Sequence, residues 1–549
     1  VVAAAGLAVA LASAVVVVPV AGAAAPVVPG GGGVMHGGAG QRVVQATPAT
    51  PPAGYPVRGI DVASYQGTVD WGAVAAAGDS FAIVKATEGT TYTNPYFSQQ
   101  YTGAKAAGLY AAAYAFGRPD AAPIPQAQYF LGNAQYAADG KTLPPVLDLE
   151  APYTGVGITD ACWNLTPAQM VAWIQAFVST VVAGTGRPMI IYAGAPWWNQ
   201  CTGSSTAFGN QLLDLPAWQS TPPTVFPAGW TAWTFWQYAD AGTLPGDQDV
   251  YAGSIDQMSL LAQPALMPGT SPSVAGLAGG GYEIAYNSLA GTLVTIGTAG
   301  FKVWPLGMMA GSSPAITGLT HGGYEVAFQA NTGQLWTLGN AGSGPTGLGM
   351  WPGSSPAIAG LSGGSWQIAF QADNTALWTV GAAGNRNWSL GMRPGSSPAI
   401  AALPNNRFQV AFQANTTALW TVGSAGNQNW SLGMWPGSSP AIATLANGRF
   451  QAAFEANTGV LWSVGGAGSG ALGLGMWPGT APSIAGVASG GYEIAFQADS
   501  SALWTVGALG NKDWSLGMMP GTNPSITSLA GGGAETAFQA NTGTLLAVH

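Results

Sequence analysis

The chain has 549 residues, among them 82 Gly, 39 Pro and 22 Trp, a formal net charge of −9, and charged side chains at only 6% of positions, against roughly a quarter in an ordinary soluble domain. Five Lys and eight Arg are too few for a nucleic-acid groove, and Glu, Lys and Arg are too scarce for coiled coils or long charged helices. The three histidines, His36, His321 and His549, are scattered, so no Ser-His-Asp triad, metal site or cofactor is expected, and any catalysis falls to carboxylates.

Residues 1–25 begin as almost unbroken Val, Ala and Leu and end in Ala21-Gly22-Ala23-Ala24-Ala25. That is the pattern of the apolar core and small-residue cleavage region of a signal peptide for secretion, with a membrane anchor as the competing reading. Residues 26–56, rich in Gly, Pro and Ala, are predicted to be a flexible linker. No later segment is expected to span a bilayer stably. In a secreted chain the two cysteines, Cys162 and Cys201, suggest a disulfide bond, with two buried thiols as the alternative.

From 57 to 262 short apolar runs alternate with helical ones. Strands are predicted at 59–63, 81–86, 110–116, 145–149, 189–193, 215–218, 234–238 and 248–251. Helices are predicted near 94–107, 125–137 and 167–183. In the last of these Thr166 caps the start, Pro167 fits the first turn, Gly184 ends it, and Met170, Val171, Ile174, Phe177 and Val178 form the apolar stripe. Eight strands with intervening helices predict an α/β barrel. Asp61 ends the first strand, Asp148 and Glu150 end the fourth, and Asp247 and Asp249 lie at the last. In such barrels the strand ends converge on one open face. Residues two apart in a strand share a side, so Asp148 and Glu150 form a close carboxyl pair. Burial of such a pair favours one protonated and one ionised member, the pairing that glycoside hydrolysis uses. The aromatics Tyr65, Tyr114, Tyr192, Trp218 and Trp236 lie at or near strand ends and are candidate sugar-binding surfaces, burial in the core being the alternative for each.

The segments Gly59-Ile60-Asp61-Val62-Ala63-Ser64-Tyr65-Gln66-Gly67, Trp71, Ile83-Val84-Lys85-Ala86-Thr87-Glu88-Gly89, Leu147-Asp148-Leu149-Glu150 and Trp236-Gln237-Tyr238 resemble, in order, the motif series of the family-25 glycoside hydrolases. That resemblance covers about 205 residues. It implies an eight-stranded barrel with about five helices and a lysozyme, or N-acetylmuramidase, that cuts the β-1,4 bond between N-acetylmuramic acid and N-acetylglucosamine in peptidoglycan. It also implies that Glu150 is the general acid, that Asp148 supports an anchimeric or ion-pair route, and that Asp61 and Asp247 complete the acidic cluster. Tyr114-Ala115-Phe116 departs from the pattern, with Ala where many members have His.

The second half, 265–549, is an internal repeat. Pro272, Pro314, Pro356, Pro398, Pro440, Pro482 and Pro524 recur every 42 residues. Phe328, Phe370, Phe412, Phe454, Phe496 and Phe538 keep the same period, as do Trp336, Trp378, Trp420, Trp462 and Trp504. Strands are predicted at 356–361, 366–372, 376–381 and 388–392, four per unit, which predicts an all-β seven-bladed propeller. The last unit stops after its third strand, and the segment 266–270 is expected to complete that blade and close the ring. This half is nearly neutral and holds 13 of the 22 Trp, which suits binding of cell-wall or other glycans. It resembles bacterial propeller lectins in general layout. Trp351, Trp435, Trp477, Trp388, Trp430 and Trp514 are candidate surface positions, and the Leu-Trp positions are read as blade core. Two other readings stand beside the muramidase: a glycan-binding adhesion protein with an inactive barrel, and a chitin-type glycosidase, whose Asp-x-x-Asp-x-Asp-x-Glu pattern is absent around Glu150.

Overall fold

In the computed structural model residues 50–153 and 156–549 are described. The predicted signal segment and most of the predicted linker lie outside the described residues. The end of that linker lies against the first domain, where the Tyr55 ring sits 5.0 Å from that of Trp233.

Among the described residues the first half forms nine strands: β1 (Arg58–Val62), β2 (Phe81–Glu88), β3 (Tyr92–Thr93), β4 (Tyr110–Phe116), β5 (Val146–Asp148), β6 (Ile190–Tyr192), β7 (Leu212–Pro216), β8 (Phe235–Ala239) and β9 (Asp247–Tyr251). Six α-helices among the described residues accompany them: α1 (Trp71–Ala76), α2 (Phe97–Ala106), α3 (Pro123–Asn133), α4 (Pro167–Thr185), α5 (Ala195–Cys201) and α6 (Ile255–Leu261). The strand order β1-β9-β8-β7-β6-β5-β4-β2, with β2 returning to β1, closes an eight-stranded barrel, and β3 is a side hairpin on β2. The α/β barrel is thus as expected, with one difference in direction. The chain turns back after β8, so β9 runs antiparallel to both neighbours. The start of β9, not its end, therefore meets the rim formed by the carboxyl ends of the other strands. Gly246, at φ 83°, makes this reversal possible, because a Cβ there would strike the carbonyl oxygen of Asp61.

Side chains alternate across each barrel strand. Phe81, Ile83, Ala112, Val146, Ile190, Leu212, Phe235 and Tyr251 fill the interior, closed below by Met258 and Leu261 of α6. Val84, Ala115, Leu147, Ile191 and Leu213 face the helical layer. There α4 presents Met170, Trp173, Ile174, Phe177, Val178 and Val181. Its capping box joins Thr166 and Gln169, and it ends at Gly186 in the left-handed region, φ 65°, two residues beyond the expected Gly184. By length and composition alone α4 is long and apolar enough to cross a membrane. Its apolar stripe is spent on the barrel wall. The sixth barrel strand, expected at 215–218, is β7 at Leu212–Pro216. Asp214, one residue outside the predicted run, sits mid-strand with its side chain buried.

The second half forms seven small antiparallel sheets, six of four strands and a last one of three. The strands of one unit, Ala357–Gly360, Trp366–Gln371, Ala376–Gly381 and Arg386–Gly391, follow the sequence pattern closely. The first strands of successive sheets pack side by side around the axis. Between blades Leu335, Leu377, Leu419, Leu461 and Leu503 are fully buried, while their Trp neighbours are half-buried. A ladder of hydrogen bonds, each spanning one repeat, ties the blades together. The backbone N–H groups of Ser271, Ser313, Ser355 and Ser397 donate to the hydroxyls of Ser313, Ser355, Ser397 and Ser439, each at 2.9 Å. The ladder returns from Asn523 N–H to the Ser271 hydroxyl at 2.9 Å, which closes the ring.

The closing element differs from expectation. Leu266 bridges to Ser288 of the first blade, just as Met308 bridges to Ala330, so 266–270 is a crossover and not a fourth strand. The positions one repeat before the outer strand Lys302–Gly307 fall at 260–265, where the chain is still leaving α6. In space α6 packs on the last strand, Leu545–Val548, and Leu260 joins Leu266, Leu545 and Ala547 in one apolar cluster. A helix of the barrel thus covers the edge that a fourth strand covers elsewhere. The fully buried Arg187 clamps the end of that helix, donating from Nη2 to the carbonyl of Leu261 and from Nη1 to that of Ala262 at 3.3 Å.

Candidate active site

A pocket with about 260 Å³ of empty space opens at the carboxyl ends of the parallel strands. Its lining includes Asp61 from β1, Tyr114 from β4, Asp148 from β5 with Glu150 just beyond, Tyr192 from β6, Asp214 from β7 and Gln237 from β8. Asp247 joins from the reversed β9, directly opposite Asp61 in register. Leu149 points outward into the helical layer, and Asp148 and Glu150, flanking it, both point in. The four expected carboxylates are therefore brought together.

Gln237 organises the cluster. Its Nε2 donates to Asp61 Oδ2 at 2.6 Å and to Asp247 Oδ2 at 3.3 Å. Its Oε1 accepts from the Tyr192 hydroxyl at 3.0 Å and from Trp218 Nε1 at 3.1 Å. Burial raises the carboxyl of Asp61 to about 7, opposed by the Gln237 hydrogen bond and by Lys85. Burial also pushes Asp148 well above the usual carboxylate range, and the neighbouring Glu150 pushes it further while sharing a hydrogen bond with it. Asp247 rises to about 10, first through burial and then through Asp61. Asp214 and Asp249 rise well above the usual range, again by burial first. A low-dielectric pocket holding this many carboxyls keeps protons on several of them.

The nearby cations are engaged elsewhere. Lys85 Nζ lies 2.9 Å from Glu88 Oε2, and Arg118 lies 3.5 Å from Glu88 Oε1, which also accepts from the Tyr153 hydroxyl at 2.6 Å. Burial alone would raise Glu88, but Lys85, Tyr153 and Arg118 outweigh it and hold Glu88 below its usual value. Glu88 is thus held toward its ionised form beside a cluster whose carboxyls are pushed the other way.

The expected aromatics separate into groups. Tyr114 and Tyr192 line the pocket. Trp218 is half-buried at its edge, and Tyr65 is 57% exposed on the turn after β1. Trp236 does not reach the pocket: it is fully buried on the outer side of β8 with Tyr238 and Val250, and its Nε1 donates to Ala217 O at 2.6 Å. The alternation of β8 explains this, because Gln237 faces in and its neighbours face out. Ala115 likewise packs in the helical layer, so the departure from the family pattern lies off the pocket. Sequence reasoning missed Asp214 as a pocket residue and did not single out Gln237, although the latter stood inside a quoted motif.

Cys162 and Cys201 form the expected disulfide, with Cα atoms 5.1 Å apart. It fastens the loop after β5 to α5. Within that loop Trp163 Nε1 donates to Glu150 O at 2.7 Å, and Trp197 of α5 donates to Ala161 O at 2.8 Å. The disulfide thereby steadies the backbone that carries Glu150.

Among known proteins, the family described as glycosyl hydrolases family 25 matches residues 60–247. The N,O-diacetylmuramidase of Chalaropsis sp is 43% identical over 213 residues, 38% of this chain and 99% of that protein. Lysozyme M1 of Streptomyces globisporus is 41% identical over 214 residues, 38% of this chain and 71% of that protein. The solved structure of a family GH25 lysozyme from Aspergillus fumigatus is 41% identical, covers 38% of this chain and 99% of its own, and aligns with a TM-score of 0.36.

Proposed function

The chain belongs to family 25 of the glycosyl hydrolases through its barrel, and from that premise we propose that it is a secreted muramidase that cuts the β-1,4 bond between N-acetylmuramic acid and N-acetylglucosamine in peptidoglycan. The observation that carries this reading is the buried Asp148–Glu150 carboxyl pair at the pocket, with its shared hydrogen bond. Glu150 donates its proton to the departing sugar oxygen. As Glu150 gives up its proton, Asp148 passes its own to Glu150 across the hydrogen bond they share; the Asp148 carboxylate so formed stabilises the positive charge growing on the sugar ring or its N-acetyl group, and water then adds to the sugar carbon and returns a proton to the pair. Gln237 holds Asp61 and Asp247 in place, and these shape the acidic wall against which the sugar lies. Tyr114, Tyr192 and Trp218 border that space, and Tyr65 extends it outward. No metal or cofactor takes part in this scheme.

The buried disulfide supports an oxidising, extracellular or cell-wall setting. The propeller, neutral and rich in Trp, holds the enzyme on wall glycans and raises its local concentration by a second attachment. In domain terms, 1–25 is the signal, 26–56 a linker, 57–262 the catalytic barrel and 265–549 the binding propeller. Glu150→Gln tests the reading. It is expected to lower release of reducing ends from purified walls by about 10²- to 10⁴-fold, the usual range for a general acid, with wall binding unchanged. Hydrolysis at the wild-type rate in this variant would overturn the assignment.

A further inference from the structure

The seven repeats are not electrostatically equivalent. From Asn374 to Phe454 the chain contains Arg386, Arg393, Arg407 and Arg449 and not one Asp or Glu. These are all the arginines of the propeller, gathered in its middle sector on a protein whose net charge is −9.

Two of the four occupy one repeat position. Counting by 42, that position holds Gly281, Gly323, Ser365, Arg407, Arg449, Gly491 and Gly533. Arginine thus replaces a small residue in two blades only, and those two are neighbours. The fourth blade comprises Ala399–Leu403, Arg407–Gln413, Ala418–Gly423 and Gln428–Gly433; the fifth comprises Ala441–Thr444, Phe450–Glu455, Val460–Gly465 and Gly470–Gly475. Both arginines line one solvent-open groove between these blades. Both are exposed, and neither forms a salt bridge among the described residues. Arg407 Nε donates to Pro404 O at 3.0 Å, which fixes the stem and leaves the terminal nitrogens to the groove.

The groove also holds Trp430. In three other blades the corresponding indole is covered by a cation from its own strand: Lys302 lies 3.4 Å from the Trp304 ring centre, Arg386 3.9 Å from Trp388, and Lys512 3.2 Å from Trp514. In the fourth blade the covering position is Gln428. No cation stacks on Trp430 among the described residues, and Nε1 donation to Thr421 Oγ1 at 3.1 Å fixes the ring. An indole without its cover, flanked by two guanidinium groups, matches a sugar ring that carries an oxyanion: the ring stacks and the anion takes the arginines.

We propose that the groove between the fourth and fifth blades is a binding site for a saccharide bearing a carboxylate or phosphate. This rests on the reading of the propeller as a glycan binder and adds one groove and one charge class to it.

The test is co-sedimentation of the full chain, carrying Glu150→Gln to prevent digestion, with insoluble bacterial walls. It is compared with the same chain carrying Arg407→Ser and Arg449→Ser. Serine occupies this position in the third blade, and equal thermal unfolding confirms that the fold is kept. The double substitution is expected to weaken wall binding on the order of tenfold or more, the effect of losing charge-assisted hydrogen bonds. Extracting phosphate polymers from the walls reproduces that loss if phosphate is the ligand; blocking wall carboxylates reproduces it if carboxylate is. Strong binding indifferent to the arginines and to both treatments overturns this proposal and leaves the glycan-binding reading standing. Absence of binding to untreated walls overturns that reading and this proposal with it.

Discussion

Glu455 shows how much a single atom decides in the propeller. At its repeat position Gln371, Gln413 and Gln497 donate Nε2–H to the carbonyls of Arg393, Trp435 and Met519 at 2.8–3.1 Å. Each accepts a glycine N–H on Oε1 at 3.0–3.2 Å. Glu455 accepts from Gly479 N–H at 2.9 Å, but its Oε1, at the place of the donating nitrogen, is buried with no partner. A proton on that oxygen restores the missing donor, and burial raises this carboxyl to about 8. Since the folded value exceeds the unfolded one of 4.5, the associated stability is full below pH 4.5 and is lost as pH rises through about 8. Glu455→Gln, which carries its donor at every pH, should therefore unfold like the wild type at pH 4. At pH 9 it should be more stable by about 1–3 kcal/mol, the cost of an unsatisfied buried group. Denaturant titrations at the two pH values check this, and an equal difference at both would contradict it.

At the scale of elements, the loop between β5 and α4 governs the site. Glu150 lies outside any strand, and its position depends on Trp163, Trp197 and the Cys162–Cys201 link. Replacing both cysteines by serine should cost about 3–4 kcal/mol for a loop of this length and should lower kcat more than it raises KM. Denaturant midpoints and steady-state rates on soluble glycan fragments measure the two effects, and unchanged kcat would remove the loop from the account. The same elements show what the sequence could and could not reveal. Asp61, Asp148 and Glu150 were legible because each closes a strand-like run, and Asp247 because it lies at the last such run. Asp214 was not, because a charge at the edge of an apolar run gives no sign in the sequence that an acidic barrel interior accepts it. Trp236 was misread because proximity to a strand end does not fix the side, whereas its neighbour Gln237 takes the inward place. The reversed direction of β9 left no trace in composition, although the short Gly-containing connection 240–246 admits it.

Over the whole molecule, the 42-residue period was enough to anticipate seven blades, because a period without insertions leaves few geometries. The closing device was hidden, since it is not part of the repeat: α6 stands where an outer strand would be, and Arg187 locks its end. Barrel and propeller are therefore mutually supporting. The fragment 265–549 should unfold at a lower temperature than the propeller within the full chain, because its last strand loses Leu260 and the rest of α6. Calorimetry of the two decides, and identical transitions would mean that the contact contributes nothing. The low charge of the chain also has two different origins. In the barrel it leaves an acidic pocket with few cations to ionise it, and in the propeller it makes a local cluster of arginines conspicuous. The central claim is that the Asp148–Glu150 pair cuts peptidoglycan on the muramic acid side, and the most direct measurement is the identity of the sugar at the new reducing ends after digestion of purified walls. The account predicts N-acetylmuramic acid from the wild type and none from Glu150→Gln; new N-acetylglucosamine ends, or equal release by the variant, would contradict it.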